Sequence, residues 1–450
     1  MKKTNLLSLI FYLILINIYA VSAQAESISE INMFPATKTV IQKYPDYAVG
    51  TIKPTSVPEN SRIIIAKYKN NICINAEIRG YLTNTESFEI ADDIDTVKIM
   101  VWDSLYGMKP ISQAEVITTK AITNAEKKVE EISQKLITKK NANVITYKTE
   151  ENEPRAVIWT KGIQAPLMAE FKRETEITDP SYSFLYVGQE KGKGWYDVNK
   201  SRPEEDSRDR TMCFAAVSAN QLHWWLDQNK DNIDTYLNSL TNGDLTSEKQ
   251  QKISQLQELR NSYNSQSNSG IYKLFKNYFA NYSANADLLD DFFINGYQVN
   301  NTGKVNSPDF FKMDSRGGFF YDVFEKKILT DRLYVGDYNA FKKWVIYYMQ
   351  DGQSIGIVHQ TPTQGMTHII TLWGIEIDSN NEITALFVTD SDDYEQEYIG
   401  MKRMYLKKNS SGYPIISTKM TDNNSGAKII ELVPLSLGID DWNDFINKAE

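Results

Sequence analysis

The first part of the chain contains three short apolar runs that are strand candidates, residues 62–67, 72–78 and 96–102. The last of them alternates apolar and polar positions with a period of two. Such runs are typical of strands that bury one face, and the proline, asparagine and glycine residues between them predict turns. Several short strands in succession favour a sandwich of two sheets. The pattern therefore predicts a small all-β, sandwich-like domain over residues 26–120.

The next segment changes to a helical pattern. The spacing of Thr123 and Glu126 is that of a capping box. Val129 and Leu136 lie on one narrow apolar stripe among lysines and glutamates. A stripe this narrow indicates a solvated helix, so residues 121–155 are predicted to be a helical and polar linker.

Helical and strand patterns are interleaved in the remainder of the chain, which predicts an α+β domain over residues 156–450. The longest helix is expected from residue 211 to about residue 239, followed by two shorter helices. The C-terminal part is rich in strand patterns. The shorter helices are expected over residues 247–264 and 269–279, and the strands over residues 354–359, 368–377, 383–390 and 401–407.

The amino terminus has the parts of a secretory signal peptide over residues 1–25. Lys2 and Lys3 are basic, residues 6–21 are apolar, and small residues end the segment at Ala25. The alternative is an uncleaved membrane anchor, for which the apolar run is short. No later run is long and apolar enough to span a bilayer. The mature protein is therefore expected to be secreted and extracellular, with cell-surface association as an alternative.

Composition narrows the class of partner. The 450 residues are 41% hydrophobic and 24% charged, which is ordinary for a globular protein. The net charge of −9 argues against nucleic acid as a partner, because nucleic-acid binding calls for a basic stripe.

The chain has two cysteines, Cys73 and Cys213. Exported proteins that rely on disulfides usually have more. A bridge between the two is an alternative, but we expect Cys73 to be a buried structural thiol within a strand. Cys213 lies where the predicted long helix begins, and the positive end of the helix dipole favours a thiolate there. Cys213 is therefore the candidate nucleophile.

A cysteine nucleophile needs a base and a group that orients the base, and the chain has three histidines. His223 follows Cys213 on the same predicted helix, roughly 15 Å along its axis, and is expected to be structural. A hairpin with a turn near residues 378–381 separates the other two. If Ile377 pairs with Glu382, His368 lies opposite the acidic segment 390–393, whereas His359 lies opposite Gly400.

The hairpin register is uncertain by at least one residue, and such a shift places either Asp390 or Asp392 on the face of His368. His368 is therefore the candidate base, and one of these aspartates is the candidate orienting group. The alternative for the acidic segment is a surface turn or a weak Ca²⁺ site. A helix-rich half that carries the cysteine, before a sheet half that carries the histidine, is the layout of papain-like α+β folds.

Several motifs in order along the chain resemble the IdeS/Mac family of immunoglobulin-degrading cysteine endopeptidases. They include Cys213 with Ala215 and Ala216, and a short strand-like motif that begins at His368. Each motif alone is weak, but together over about residues 157–445 the match is specific. The other matching segments are residues 194–200, 220–230, 293–297, 316–318, 388–392 and 426–435.

The resemblance implies a papain-like protease domain with an added N-terminal β domain, and it implies roles for five residues. By this resemblance Cys213 is the nucleophile, His368 the base, Asp390 the orienting residue and Asp392 a supporting carboxylate. Lys200 matches a lysine that builds the oxyanion hole together with the backbone amide of Cys213. No metal or cofactor is implied.

The resemblance also implies a function: a secreted cysteine endopeptidase that cleaves host proteins, above all immunoglobulin heavy chains in an IgG-type hinge. Phe214 departs from the family, whose best-known members have glycine after the cysteine, and is expected to alter the cleft. Two alternatives stay open. The first is a papain-like enzyme acting on other host proteins or peptides, and the second is a surface protein that binds immunoglobulin without cutting it.

Overall fold

The computed structural model describes most of the chain from residue 35 to residue 449. The predicted signal peptide therefore lies outside the described residues, as do parts of the family-like motifs at Tyr297 and Arg316. Within the range, the residues not described are 45–46, 56, 81–84, 105–108, 119–122, 150, 174–184, 202–206, 242–244, 265–267, 280–284, 297–317, 326, 361–365, 393–399 and 418–425.

The chain divides into two compact units. The first comprises residues up to 131 with residues 145–155 and 167–169, and the second comprises residues 132–144, 156–166 and 170–450. The architecture is mixed α+β, with a β region ahead of the α+β part, as the sequence predicts.

The first unit contains two antiparallel sheets. One has the strand order β4-β3-β6-β7, and in the other β2 lies between β1 and β5. Alternate aliphatic residues of β3 and β6, such as Ile63 and Val97, pack with Ile52 of β2 and Phe88 of β5 in one core. The strands are β1 Thr37–Lys43, β2 Tyr47–Pro54, β3 Arg62–Lys69, β4 Ile72–Arg79, β5 Glu86–Ala91, β6 Thr96–Trp102 and β7 Glu115–Thr118.

The sequence predicts that Cys73 is buried, but in the structure it is not. It lies on β4, which pairs with β3 alone among the described residues, and its side chain is half-buried. A strand at the edge of a sheet has neighbours on one side only, so its side chains are less covered. Both cysteines are free thiols.

The predicted linker contains regular structure. Helix α1 (Asn124–Leu136) begins with the expected capping box, in which the Thr123 and Glu126 side chains each accept a hydrogen bond from the other residue's backbone N–H. Strand β8 (Val144–Lys148) follows and pairs with the end of β1. The chain passes between the two units several times, and one of these crossings falls within the next strand, β9 (Pro154–Trp159).

Six strands of the second unit form a closed antiparallel ring. The pairing runs β13-β14-β15-β16-β17-β18 and returns from β18 to β13. β11 adds to β16, and β12 adds to β18. The strands are β10 Lys172–Arg173, β11 Leu185–Gly188, β12 Leu333–Tyr334, β13 Ser354–Gln360, β14 Thr367–Asp378, β15 Ile383–Thr389, β16 Gly400–Lys408, β17 Pro414–Ser417 and β18 Ala427–Leu435.

Helix α2 (Cys213–Gln228) contacts four other helices of the second unit, α3 to α6, and the strands β13 and β14. The long predicted helix is in fact two, because the chain turns at Asn229, whose side chain donates to the carbonyl of Leu437. None of the helices in the described part of the chain is long and apolar enough to cross a membrane. The helices are α2 Cys213–Gln228, α3 Lys230–Thr241, α4 Ser247–Arg260, α5 Gly270–Phe279, α6 Ala286–Asn295, α7 Tyr321–Phe324, α8 Tyr338–Gln350 and α9 Ile439–Ala449.

Candidate active site

Cys213 is the first residue of α2. The helix is apolar around most of its circumference, and every side chain from Phe214 to Leu226 is buried, so the helix is held inside the domain. The preceding residue, Met212, makes no side-chain cap. The half-buried thiol thus lies at the positive end of a fixed helix dipole, which favours its negative form.

The β14–β15 hairpin brings His368 to Asp390. His368 is near the start of β14, Asp390 directly follows β15, and Nε2 of His368 lies 2.7 Å from Oδ1 of Asp390. The backbone N–H of Asp392 also donates to this Oδ1, at 3.0 Å. The carboxylate of Asp390 is therefore held between a backbone amide and the imidazole.

The register of this hairpin differs from the predicted one. Ile377 pairs with Ile383 rather than Glu382, and the pairing shifts again where Trp373 is an extra residue between Leu372 and Gly374. The indole of Trp373 is buried and donates to Thr389. The bulge re-aims the strand end, as bulges beside functional sites commonly do.

Cys213 and His368 are close enough that each shifts the pKa of the other. Because Nε2 of His368 is bonded to Asp390, Nδ1 is the ring nitrogen that remains for the thiol of Cys213. Burial disfavours charge on the imidazole, but Asp390 and Cys213 outweigh it and hold the pKa of His368 well above its usual 6.5. Proximity of opposite charges favours the charged form of each partner.

The pKa of Cys213 moves in the opposite direction. Burial raises it, but the hydrogen bond and charge of His368, with a smaller contribution from Lys200, bring the pKa of the thiol below its usual 9.0. The pKa of Asp390 is likewise held well below its ordinary value, because the charge of His368 outweighs the effect of burial. The three groups favour a thiolate, an imidazolium and a carboxylate in a row.

Lys200 lies beside this row, and it is buried although lysines are mostly exposed. Its side chain is only 3% exposed, and its ammonium forms an ion pair with Asp392. Its Nζ is 3.4 Å from the carbonyl of Arg210, and its own backbone N–H donates to the carbonyl of Ser391. Asp392 also approaches His368, with 3.7 Å between Oδ2 and Nδ1. All five residues singled out in the sequence are thus in one place.

Asn220 is a buried residue whose contribution the sequence does not reveal. Its Oδ1 accepts from the backbone N–H of Val198, two residues before Lys200, and its Nδ2 donates to Thr371, three residues after His368. One side chain therefore connects α2, the Lys200 segment and β14. The available signal is its spacing: seven residues after Cys213 is two helical turns, on the same face.

The other two histidines, His223 and His359, lie in different surroundings. His223 is buried, bonds to the hydroxyl of Ser269 and stacks near Tyr196, and burial lowers its pKa to about 3. It is structural, as expected. His359 does not lie opposite Gly400; it is the direct partner of His368 in the β13–β14 pair. The prediction used the hairpin that follows His368, whereas β13 pairs on the other side of β14.

Phe214, the departure from the family pattern, is only 3% exposed. Its side chain belongs to the interior of the domain rather than to an open surface. Phe214 therefore contributes to the packing of the start of α2.

His368 and the two aspartates are also residue types that can bind a metal ion. Ligand atoms of His368, Asp390 and Asp392 lie within 4.8 Å of one another. Ca²⁺ takes oxygen ligands, so an imidazole does not suit it. A cation would also compete with the Lys200 ammonium for Asp392. The donor set fits the ion-paired row better than a Ca²⁺ centre.

Two comparisons with known proteins cover this region. A family model described as Mac 1 matches residues 89–442, a range that begins in β5 and includes all of the site. An IgM protease of Streptococcus suis (strain P1/7) is 35% identical over 398 residues, which is 86% of this chain and 34% of the relative. The chain therefore spans about a third of the length of that relative.

Proposed function

This chain belongs to the Mac 1 family, and from that membership and the geometry of its site we propose that it is a cysteine endopeptidase with Cys213 as nucleophile. The observation that carries the proposal is the 2.7 Å hydrogen bond between Nε2 of His368 and Asp390, beside a thiol, Cys213, whose pKa His368 lowers. A nucleophile, a base and an orienting group in a row are what acyl transfer requires.

In the first step, the Cys213 thiolate attacks the carbonyl carbon of the scissile peptide bond. A tetrahedral intermediate forms, and its oxygen takes the negative charge. The His368 imidazolium then gives its proton to the departing amine, the C–N bond breaks, and a thioester to Cys213 remains. Asp390 stabilises the imidazolium and fixes its orientation.

In the second step, neutral His368 removes a proton from water, and the resulting hydroxide attacks the thioester. The C–S bond breaks, the acid product leaves, and the proton on His368 restores the ion pair with the thiolate. The same residue thus acts first as an acid and then as a base.

Charge on the tetrahedral oxygen needs donors that are already in place. We assign this role to the Lys200 ammonium and the backbone amide of Cys213. The ion pair with Asp392 supports the assignment, because it holds a flexible side chain in one position beside the site. Asp392 is then a supporting carboxylate that acts through Lys200.

The substrate that we propose is an immunoglobulin heavy chain outside the cell. The name of the S. suis relative supports IgM, and the resemblance of the site motifs supports an IgG-type hinge. The predicted signal peptide over residues 1–25 supports secretion.

A panel of purified IgM, IgG and IgA, incubated with the protein and with Cys213→Ala, tests the proposal. Mass analysis of the fragments should show cleavage of a heavy chain at one site by the wild-type protein, and none by the variant. Kininogen, as an unrelated host protein, is the control for substrate class. Cleavage by Cys213→Ala, or cleavage of kininogen without any immunoglobulin, would overturn the proposal.

A further inference from the structure

His359 lies next to the proposed base on the neighbouring strand. It is the direct cross-strand partner of His368 in the antiparallel pair of β13 and β14. Directly paired residues project from the same face of a sheet. The two imidazole rings are accordingly in contact, with centroids 5.4 Å apart and planes at 77°.

The hydrogen bonds of His368 leave its tilt poorly restrained. Nε2 bonds to Asp390 at 2.7 Å, and the opposite side of the ring faces Cys213. Both interactions lie close to the plane of the ring, so they resist movement within that plane more than tilting out of it. A second ring packed across the first, as His359 is, opposes that tilt.

We propose that His359 is a positioning residue, which holds the ring of His368 in the orientation that keeps it aligned with Cys213. This inference rests on the proposed function, because the orientation of His368 matters only if the imidazole exchanges a proton with Cys213 and substrate. Positional errors of about 1 Å in such groups cost up to about a hundredfold in rate.

The protonation state of His359 suits a packing role. Its Nδ1 is 3.2 Å from the carbonyl of Gln360, and a carbonyl only accepts, so Nδ1 carries the proton in the neutral ring. Burial and the charge of His368 lower the pKa of His359, against the smaller opposing effects of the Gln360 hydrogen bond and the two aspartates, Asp390 and Asp392. On its other side, β18 presents the uncharged Ile429. A neutral ring can pack against an imidazolium without like-charge repulsion.

Three variants test this role by steady-state kinetics. His359→Ala removes the ring and should lower kcat about tenfold while KM changes less than about twofold. His359→Phe restores a ring without any proton to transfer, and should bring kcat back to within about threefold of the wild type. Val358→Ala, on the opposite face of the same strand, is the matched control and should leave kcat unchanged.

A second readout does not depend on any protein substrate. In a Cys73→Ser background, the rate of alkylation of Cys213 by iodoacetamide is measured against pH. His359→Ala should move the rise in rate to higher pH, because a tilted imidazolium stabilises the thiolate less, whereas His359→Phe should follow the wild type. His359→Asn, which keeps an N–H donor but has no aromatic ring, should behave as Ala does.

Kinetics and alkylation together separate the two ideas. If no immunoglobulin or peptide is cleaved, the proposed function fails, and the alkylation profiles still decide the role of His359. Wild-type alkylation profiles in both His359→Ala and His359→Asn would overturn the positioning role. A His359→Phe variant as impaired as His359→Ala would overturn it as well, because the nitrogen rather than the ring would then be needed.

Discussion

Nε2 of His368 and Oδ1 of Asp390 lie 2.7 Å apart, although 22 positions separate the two residues in the chain. The contact is made where β14 begins and β15 has just ended. A hairpin bulge at Trp373 lies between them and sets their alignment. The charge of the proposed base is therefore controlled by the folding of one hairpin.

Replacing Asp390 by Asn removes the carboxylate charge while keeping the size of the side chain. Asp390 raises the pKa of His368, so the variant imidazole should lose its proton at lower pH. We expect kcat/KM to fall about 10- to 100-fold, and its basic limb to move to lower pH. A pH–rate profile with an unchanged basic limb would show that Asp390 does not hold the charge of His368.

Replacing Lys200 by Met removes the proposed oxyanion donor but keeps an unbranched side chain. Loss of one such donor typically costs about 100- to 1,000-fold in kcat. We expect that loss with little change in KM, since the interaction forms only as charge develops on the substrate oxygen. Steady-state kinetics on a peptide substrate measure it. A change confined to KM would assign Lys200 to substrate binding instead.

How much of this site the sequence predicts depends on whether local pattern or long-range pairing places each residue. Cys213 at a helix start and His368 near an acidic segment follow from local periodicity and one hairpin. The position of His359 does not follow from such patterns. No short pattern specifies the register in which β13 pairs with β14, and that register places His359 beside His368. The burial of Lys200 depends on Asp392, which is distant in sequence.

The fold shows the same division. Short apolar runs predict β3, β4 and β6 of the first unit and β13 to β16 of the ring, since such runs are a local signal. The other strands of these sheets are not predicted, and β14 is buried on both faces rather than on alternate positions. The break at Asn229 is missed because the residues on both sides are helical in pattern, and the partner of Asn229 is the distant carbonyl of Leu437. The half-exposure of Cys73 depends on which strand is outermost in its sheet, which the alternation cannot specify.

The acidic helix α6 should make stability depend on pH. Burial raises the pKa of Asp291 to about 6 from an ordinary 3.8, so the folded state favours the protonated acid. The group therefore favours folding below about pH 4, and this stability is lost as the pH rises through about 6. Asp291→Asn should raise the free energy of unfolding by about 1–3 kcal/mol at pH 8 and change it little at pH 4.

Denaturant unfolding at the two pH values measures this difference. Asp444→Asn, at an exposed position of α9, is the control and should show no such pH dependence. An Asp291→Asn variant whose free energy of unfolding rises no more at pH 8 than at pH 4 would contradict the expectation.

A buried ion pair spans the strands β14 and β16. Arg403 donates two hydrogen bonds to the fully buried Glu376, at 2.8 and 2.7 Å, and the hydroxyl of Thr384 donates a third. Glu376→Gln removes the carboxylate charge that the buried guanidinium faces. We expect the free energy of unfolding to fall by about 3–5 kcal/mol.

Thermal and denaturant unfolding provide that comparison. The double variant Glu376→Leu with Arg403→Met removes both charges and should be less destabilised than Glu376→Gln, since replacing both members of a buried ion pair by apolar residues costs less than removing one. A single variant as stable as the wild type would mean that water reaches the guanidinium.

The central claim is that Cys213 is a thiolate maintained by His368, and site-resolved alkylation tests it most directly. Iodoacetamide is added at pH 6, and mass spectrometry follows modification of Cys213 and Cys73 in the same molecules. Burial raises the pKa of Cys73, so it is the internal reference for an unactivated thiol. We expect Cys213 to react at least about tenfold faster than Cys73, and His368→Asn to abolish the difference. Equal rates for the two cysteines in the wild-type protein would contradict the account.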